Sequence, residues 1–345
     1  MTTTSPIATN NGGPARVRKR IPRSRSATMG AAVLTAPGQF EIQTFAAREP
    51  AANQVLVRME GCGVCGSNLA PWEGREWFKY PFAPGAPGHE GWGVVEAIGE
   101  NVTNVRPGDR VAVLSYQAFA EYDLADASAV VPLPDSLHGK PFPGEALGCA
   151  FNVFKRCDIR PGHTVAIVGV GFLGAVLTAL AASAGAYVIA ITRRPFALAI
   201  AKHYGADECV PMDDHRKIIE RVKAVTETVG CDRVIEAVGA PWPLDLAAEL
   251  TRERGKLIIA GYHQDGPRQV NMQLWNWRGL DVINAHERDF AIYVRGMSDA
   301  VNAVVSGAFD PTPLYTHTFP LDRIADAFAA MQQRPENFMK ALVTL

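Results

Sequence analysis

The 345-residue sequence predicts an α/β protein of two domains, a mostly β domain followed by a doubly wound parallel sheet. Three observations predict it. The first half carries short strand-like runs punctuated by Pro and Gly. The second half carries apolar runs of the fully buried kind alternating with helical segments. A glycine-rich turn stands where one texture gives way to the other. The length exceeds one ordinary domain and suits two, each large enough for its own core, with a cleft between them.

In chain order, QVLVRME (54–60), 93–98 and 110–114 read as strands and predict the β domain over 29–150. From His163 the runs TVAIVGV, AYVIAIT, RVIEAVG, KLIIAG and LDVINA, separated by helical segments, predict the parallel sheet over 151–289. A periodic stretch over 289–305, then PLYTHTFPL, a second amphipathic stretch over 324–331 and a final strand KALVTL follow. This last segment has too few strands for a sheet of its own, so residues 290–345 are expected to return and complete the first domain. Residues 1–28 are rich in Thr, Ser, Asn and Pro, with Arg16, Arg18, Lys19, Arg20, Arg23 and Arg25 clustered without apolar periodicity. They read as a disordered basic leader, and Ile21 followed by Pro and Arg is no secretory core.

Composition removes several function classes. Lys+Arg (34) balance Asp+Glu (35), so no global basic field gathers nucleic acid or an anionic membrane. The apolar stretch over 171–184 is broken by glycines and falls short of the roughly 20 residues that cross a bilayer. The six cysteines, Cys62, Cys65, Cys149, Cys157, Cys209 and Cys231, are too dispersed for a disulfide-stapled secreted domain and imply a reducing cytoplasm. A small-molecule substrate is the expected partner.

His163 to Val168 leads straight into GVGFLG and then into a helical segment, the order in which a dinucleotide turn is built. Gly169 permits the tight turn, Gly171 lets backbone approach a pyrophosphate, and Gly174 allows close packing of helix on strand, leaving the phosphates at the helix N-terminus. Phe172 and Leu173 complete the turn's candidate contacts. The next strand ends at Thr192, Arg193 and Arg194, where an NAD-specific protein places a carboxylate on the ribose. Two guanidinium groups there favour NADP(H) over NAD(H).

Three segments carry metal-ligand types: GCGVCGSN (61–68), GHEGWG (88–93) and GEALGC (144–149). A catalytic zinc takes about three protein ligands from Cys, His and Asp/Glu and keeps one position open. GHEGWGVVEAIGENV, with His89, Glu90, Gly93, Gly99 and Val102, resembles the zinc-site signature of the medium-chain dehydrogenase/reductase superfamily, zinc-dependent alcohol and polyol type. GVCGSN is similar to that family's GxCGSD segment, and IEAVG, with Val238 as a cofactor contact, GKLIIAG and the terminal segment extend the likeness over nearly everything after Met29.

The resemblance implies a GroES-like catalytic domain and a Rossmann cofactor domain. It implies Cys65 and His89 as zinc ligands, Glu90 as an occasional further ligand, and Ser67 as a proton-relaying hydroxyl, with Cys65, Ser67, His89 and Glu90 as the catalytic set. The third ligand stays open between Glu145, which begins the ExLxxA pattern of the polyol branch, and Cys149, four residues on. Cys62 falls where the family has a small apolar residue and reads as a core thiol. Asn68 replaces the family's Asp, and the absence of cysteine over 103–133 leaves no structural zinc.

The activity implied is hydride transfer between NADP(H) and a secondary alcohol or ketone of a polyol, sugar or cyclitol, by a homodimer or homotetramer with 281–285 as its edge strand. Trp72, Trp77, Phe78 and Tyr80 with Glu73 and Glu76, and His263, Gln264, Asp265, Trp275 and Trp277, are candidate substrate neighbours. A zinc-free quinone-type or enoyl-type reductase and a noncatalytic NADPH-binding protein are the alternatives.

Overall fold

The computed structural model describes residues 28–345, so the leader expected over 1–28 lies outside the described residues except for Thr28, which begins a strand. The chain opens with a hairpin, β1 (Thr28–Ala36) and β2 (Gln39–Ala46), then runs through β3 (Gln54–Gly63), α1 (Leu69–Glu73), β4 (Glu90–Ile98), β5 (Arg110–Val113), β6 (Tyr122–Asp126) and β7 (Val130–Pro132). α2 (Gly144–Cys157) leads to β8 (Thr164–Val168), α3 (Phe172–Ser183), β9 (Tyr187–Thr192), α4 (Pro195–His203), β10 (Glu208–Pro211), α5 (His215–Val225) and β11 (Cys231–Glu236). The remainder is α6 (Pro241–Leu250), β12 (Thr251–Ile259), α7 (Met272–Arg278), β13 (Asp281–Asn284), α8 (Phe290–Val305), β14 (Tyr315–Pro320), α9 (Ile324–Gln333) and β15 (Lys340–Thr344).

β8 to β13 form one parallel sheet in the order β10-β9-β8-β11-β12-β13. Its burial alternates as a sheet covered on both faces must: Val165, Ile167, Val188 and Ala190 enter one core, while Ala166, Val168, Ile189 and Ile191 enter another. The chain moves outward from β8 in one direction, then crosses to β11 and moves in the other. The strand order therefore reverses between β8 and β11, opening a crevice at the carboxyl ends of these strands.

The other large sheet has the order β14-β15-β3-β4-β5-β7, with β6 also on β3. β14 and β15 come from the end of the chain and reach β3 through Leu342↔Gly63, Val343↔Cys62 and Thr344↔Gly61. Position 150, where the sequence texture changes, falls inside α2, and this helix packs on both α3 and α8. One core accordingly runs from Trp92 and Ala112 through α2 and α3 to Met339 and Leu342. No helix among the described residues is long and apolar enough to cross a membrane.

Candidate metal and dinucleotide site

Antiparallel pairing of β3 and β4 ends at Gly63↔Glu90. Cys65, two residues past one strand, and His89, one residue ahead of the other, are thereby delivered to the same end of the ladder. Cys65 begins a short 3-10 turn over Gly66–Asn68, which also holds the half-buried Ser67. Asn68 fixes this turn: its Oδ1 accepts the Cys65 N–H at 2.9 Å and its Nδ2 donates to the Pro87 carbonyl at 3.0 Å. The same carbonyl lies 2.9 Å from His89 Nδ1. A carbonyl oxygen only accepts, so Nδ1 carries the proton and Nε2 is the nitrogen turned toward the Cys65 thiol. The Asn68 amide thus braces the loops that carry Cys65 and His89.

Cys65, His89 and Glu90 place one donor atom each within 4.8 Å of one another. Glu90 is buried and paired with Lys340, whose Nζ stands 2.6 Å from Oε1 and 2.5 Å from Oε2. The ammonium thus straddles both carboxylate oxygens, hydrogen-bonded to Oε1 and ion-paired with Oε2. Gly63 creates the space, since a Cβ there would sit 1.9 Å from Glu90 Oε2. A thiol, an imidazole nitrogen and a carboxylate oxygen, each within 4.8 Å of the others, are the donor set that fits a zinc ion.

Glu145 lies in the first turn of α2, where the helix dipole favours a carboxylate. It stands beside the close group of three rather than within it. Its Oε1 accepts hydrogen bonds from the Tyr293 hydroxyl and, at 3.2 Å, from the Cys149 thiol. Tyr293 reaches it because α2 and α8 cross closely: a Cβ on Gly148 would meet Met297 N at 2.7 Å, and one on Gly296 would meet Asn152 Nδ2 at 2.4 Å.

The local field is negative. Burial pulls the His89 imidazole down, but the adjoining Cys65 side chain and the charges of Glu145 and Glu90 push it well above the ordinary histidine value. Burial opposes the Lys340 ammonium as well, and Glu90, Cys65 and Glu145 more than reverse it. Burial followed by the Glu145 charge pushes the Cys149 thiol well up, and in this arrangement the thiol donates to Glu145. Cys62 is buried in the core of the β domain, as a packed thiol.

The glycine turn has the shape a dinucleotide requires. Gly169 has φ +99° and donates to the Ile191 carbonyl at 2.8 Å. A Cβ on Gly171 would meet nothing within 4 Å, while one on Gly174 would sit 2.0 Å from the Gly169 carbonyl oxygen. The first is open room for a ligand and the second is helix packed on strand. Val238 Cγ2 lies over Gly169. The Phe172 ring takes Lys340 Nζ 4.7 Å from its centroid and stacks with Tyr315 at 6.5 Å, so the turn abuts the Glu90–Lys340 pair. Leu173 packs on the core, Thr192 is buried, and Arg193 is exposed beside the half-buried Arg194.

Residues 51–135 match the family model for the alcohol dehydrogenase GroES-like domain, and residues 173–304 the model for zinc-binding dehydrogenase. The chain belongs to the medium-chain dehydrogenases of the zinc-dependent alcohol and polyol type. Human sorbitol dehydrogenase is 26% identical over 339 residues, covering 87% of this chain and 92% of the relative. Sorbitol dehydrogenase of Bacillus subtilis (strain 168) is 26% identical with 91% and 97% covered, and D-arabitol-phosphate dehydrogenase of Enterococcus avium 25% with 90% and 96%. Two solved structures share the fold. A zinc-binding dehydrogenase from Sinorhizobium meliloti 1021 bound to NADP has a TM-score of 0.79 at 24% identity, covering 93% of this chain and 100% of the other. A short chain alcohol dehydrogenase from E. coli CFT073 complexed with NADH has a TM-score of 0.82 at 22%, with the same coverage.

Several aromatic residues of this dehydrogenase serve other ends than the sequence pattern suggested. Trp72 is core, stacked on Phe40 at 5.8 Å and tilted against Phe328 at 5.4 Å, and the Tyr80 hydroxyl is taken by the Pro71 carbonyl. Trp275 is partly buried against the parallel sheet, whereas Trp77 and Trp277 are exposed. His263 lies 3.0 Å from the buried Glu236 carboxylate. Lys340 and Tyr293, which hold the two carboxylates of the site, carried no sequence motif. The one signal for Lys340 was a charge within the otherwise apolar KALVTL. Tyr116, exposed with its ring 6.0 Å from that of His89, also went unmarked.

Proposed function

We propose that this dehydrogenase transfers a hydride between NADP(H) and a secondary alcohol or ketone of a polyol, sugar or cyclitol, with a zinc ion at the end of the β3–β4 ladder. The observation that carries the proposal is the convergence of Cys65, His89 and Glu90 on one point. Cys65 as thiolate, His89 through Nε2 and Glu90 through a carboxylate oxygen are the residues to hold the ion, with Glu145 the neighbouring second carboxylate. Zinc would supply Lewis acidity for the substrate oxygen and the nicotinamide the hydride acceptor or donor. Lys340 offsets the charge of Glu90, and Tyr293 and Cys149 orient Glu145. Ser67, on the turn that begins at Cys65, supplies a hydroxyl that passes a proton toward solvent. The glycine turn, with Val238 above it, receives the pyrophosphate.

The polyol reading draws on the sorbitol and arabitol-phosphate relatives, and the NADP(H) reading on Arg193 and Arg194. Subunits are proposed to pair through β13, the outermost strand of the parallel sheet, whose residues are largely exposed. The activity is tested by assaying polyols, sugars and cyclitols with NADP and NAD while zinc is counted. Zinc-dependent oxidation of such a substrate with NADP preferred is expected, and undiminished turnover in zinc-free protein would overturn it.

A further inference from the structure

The carboxyl end of β9 gathers more positive charge than its own sequence supplies. Arg193 and Arg194 directly follow Thr192, and Arg334 reaches the same place from the far end of the chain. α9 ends at Arg334, which takes a left-handed conformation (φ 48°) and donates its backbone N–H to the Ala330 carbonyl at 2.8 Å. Four residues on, the Phe338 carbonyl accepts a hydrogen bond from the Arg194 guanidinium, tying this loop to the end of β9. Partial burial and the Arg334 and Arg193 charges hold Arg194 below its ordinary value, and partial burial with the Arg193 charge does the same to Arg334. None of the three forms an ion pair among the described residues. Uncompensated like charges brought together are relieved by an anion.

Position identifies the anion. β8 and β9 pair through Val168↔Ile191, and Gly169 is hydrogen-bonded to Ile191, so the cluster stands just past the strand beside the glycine turn. The pyrophosphate belongs to the turn and the N-terminus of α3. A dinucleotide bound in this way would bring its adenosine ribose to the end of the neighbouring strand, where these arginines stand.

We propose that Arg334 joins Arg193 and Arg194 in binding the 2′-phosphate of NADP(H), making it a specificity residue supplied by the element that packs on β14 and β15. This rests on the NADP(H) reading above. Cofactor choice is then made jointly by the two halves of the molecule.

The test is calorimetric titration with adenosine 2′,5′-bisphosphate and with 5′-AMP, on the wild type, Arg334→Gln, Arg334→Lys and Arg193→Gln. Arg334→Gln should weaken the bisphosphate roughly 10- to 100-fold, as loss of a charge-assisted contact does, and change 5′-AMP by less than about twofold. Arg334→Lys should recover part of the loss. Equal losses for both probes, or an Arg334→Gln variant that binds the bisphosphate as the wild type does, would overturn the role of Arg334. A wild type that does not distinguish the probes contradicts the NADP(H) reading itself. A wild type that does, with only Arg193→Gln impaired, contradicts Arg334 alone.

Discussion

At Gly171 and Gly174 the same added methyl group has opposite consequences. On Gly174 it collides with the Gly169 backbone carbonyl at 2.0 Å, whereas on Gly171 it meets no protein atom within 4 Å and φ is −88°. Gly171→Ala should therefore leave the melting temperature within a few degrees, a stability change under about 1 kcal/mol, yet weaken dinucleotide binding. Gly174→Ala should lower the melting temperature markedly. Fluorescence titration and thermal melts on both variants check this, and a Gly171→Ala protein with intact binding would remove the pyrophosphate from the turn. Tyr293 offers a second residue-scale test. Tyr293→Phe keeps the ring in the α2–α8 contact and deletes the hydroxyl that orients Glu145 beside the ion's site, so zinc affinity should fall about 10- to 100-fold, as loss of a supporting outer-shell hydrogen bond does. Competition with a chelator measures it, and unchanged affinity would detach Glu145 from the metal. Lys340→Met leaves Glu90 buried beside Cys65 with its counter-charge gone, and a loss of about 3–5 kcal/mol is expected in denaturant unfolding of the metal-free protein.

Among the elements, α2 carries the most varied load. Its N-terminus presents Glu145, its middle packs under α8, and its C-cap Asp158, left-handed at φ 49°, receives Lys256 at 2.9 Å, Arg160 at 3.1 Å and Arg233 at 3.1 Å. Lys256 first, then Arg160, hold the Asp158 carboxyl far below the usual carboxylate range. A depressed carboxyl contributes stability above its unfolded-state value and loses it as pH falls through the folded one. Asn tolerates the left-handed cap, so Asp158→Asn isolates the charge. Its melting temperature should lie below that of the wild type at neutral pH, and the gap should narrow steadily in acid below about pH 4. A gap independent of pH would assign the effect to shape. Element type was legible wherever periodicity was strong. β8, β9, β11 and β12 were readable because strands buried on both faces are continuously apolar. β10 escaped notice because Glu208–Pro211 is a four-residue edge strand. α2 was seen only as a carrier of ligand-type residues, since Gly144, Gly148 and the neighbouring cysteines mask its apolar stripe.

For the whole molecule, function depends on chain segments that the sequence keeps far apart. Cys65 and His89 could be read because each sits in a local motif at the end of a strand, and the glycine turn because its spacing is local too. Glu145 and Cys149 could both be nominated, but not the hydrogen bond that joins them one helical turn apart or the Tyr293 hydroxyl that meets both. Lys340 left only a lone charge in an apolar strand and Arg334 left nothing, because β15 inserts beside β3 and the loop after α9 meets the end of β9, contacts that leave no pattern in the intervening sequence. Zinc content of the purified wild type and of His89→Ala, measured beside their melting curves, tests the convergence most directly. About one ion per chain in the wild type, lost in a His89→Ala protein that still folds, is the expected result. Equal zinc in the two proteins, or a fully active wild type without zinc, would contradict it.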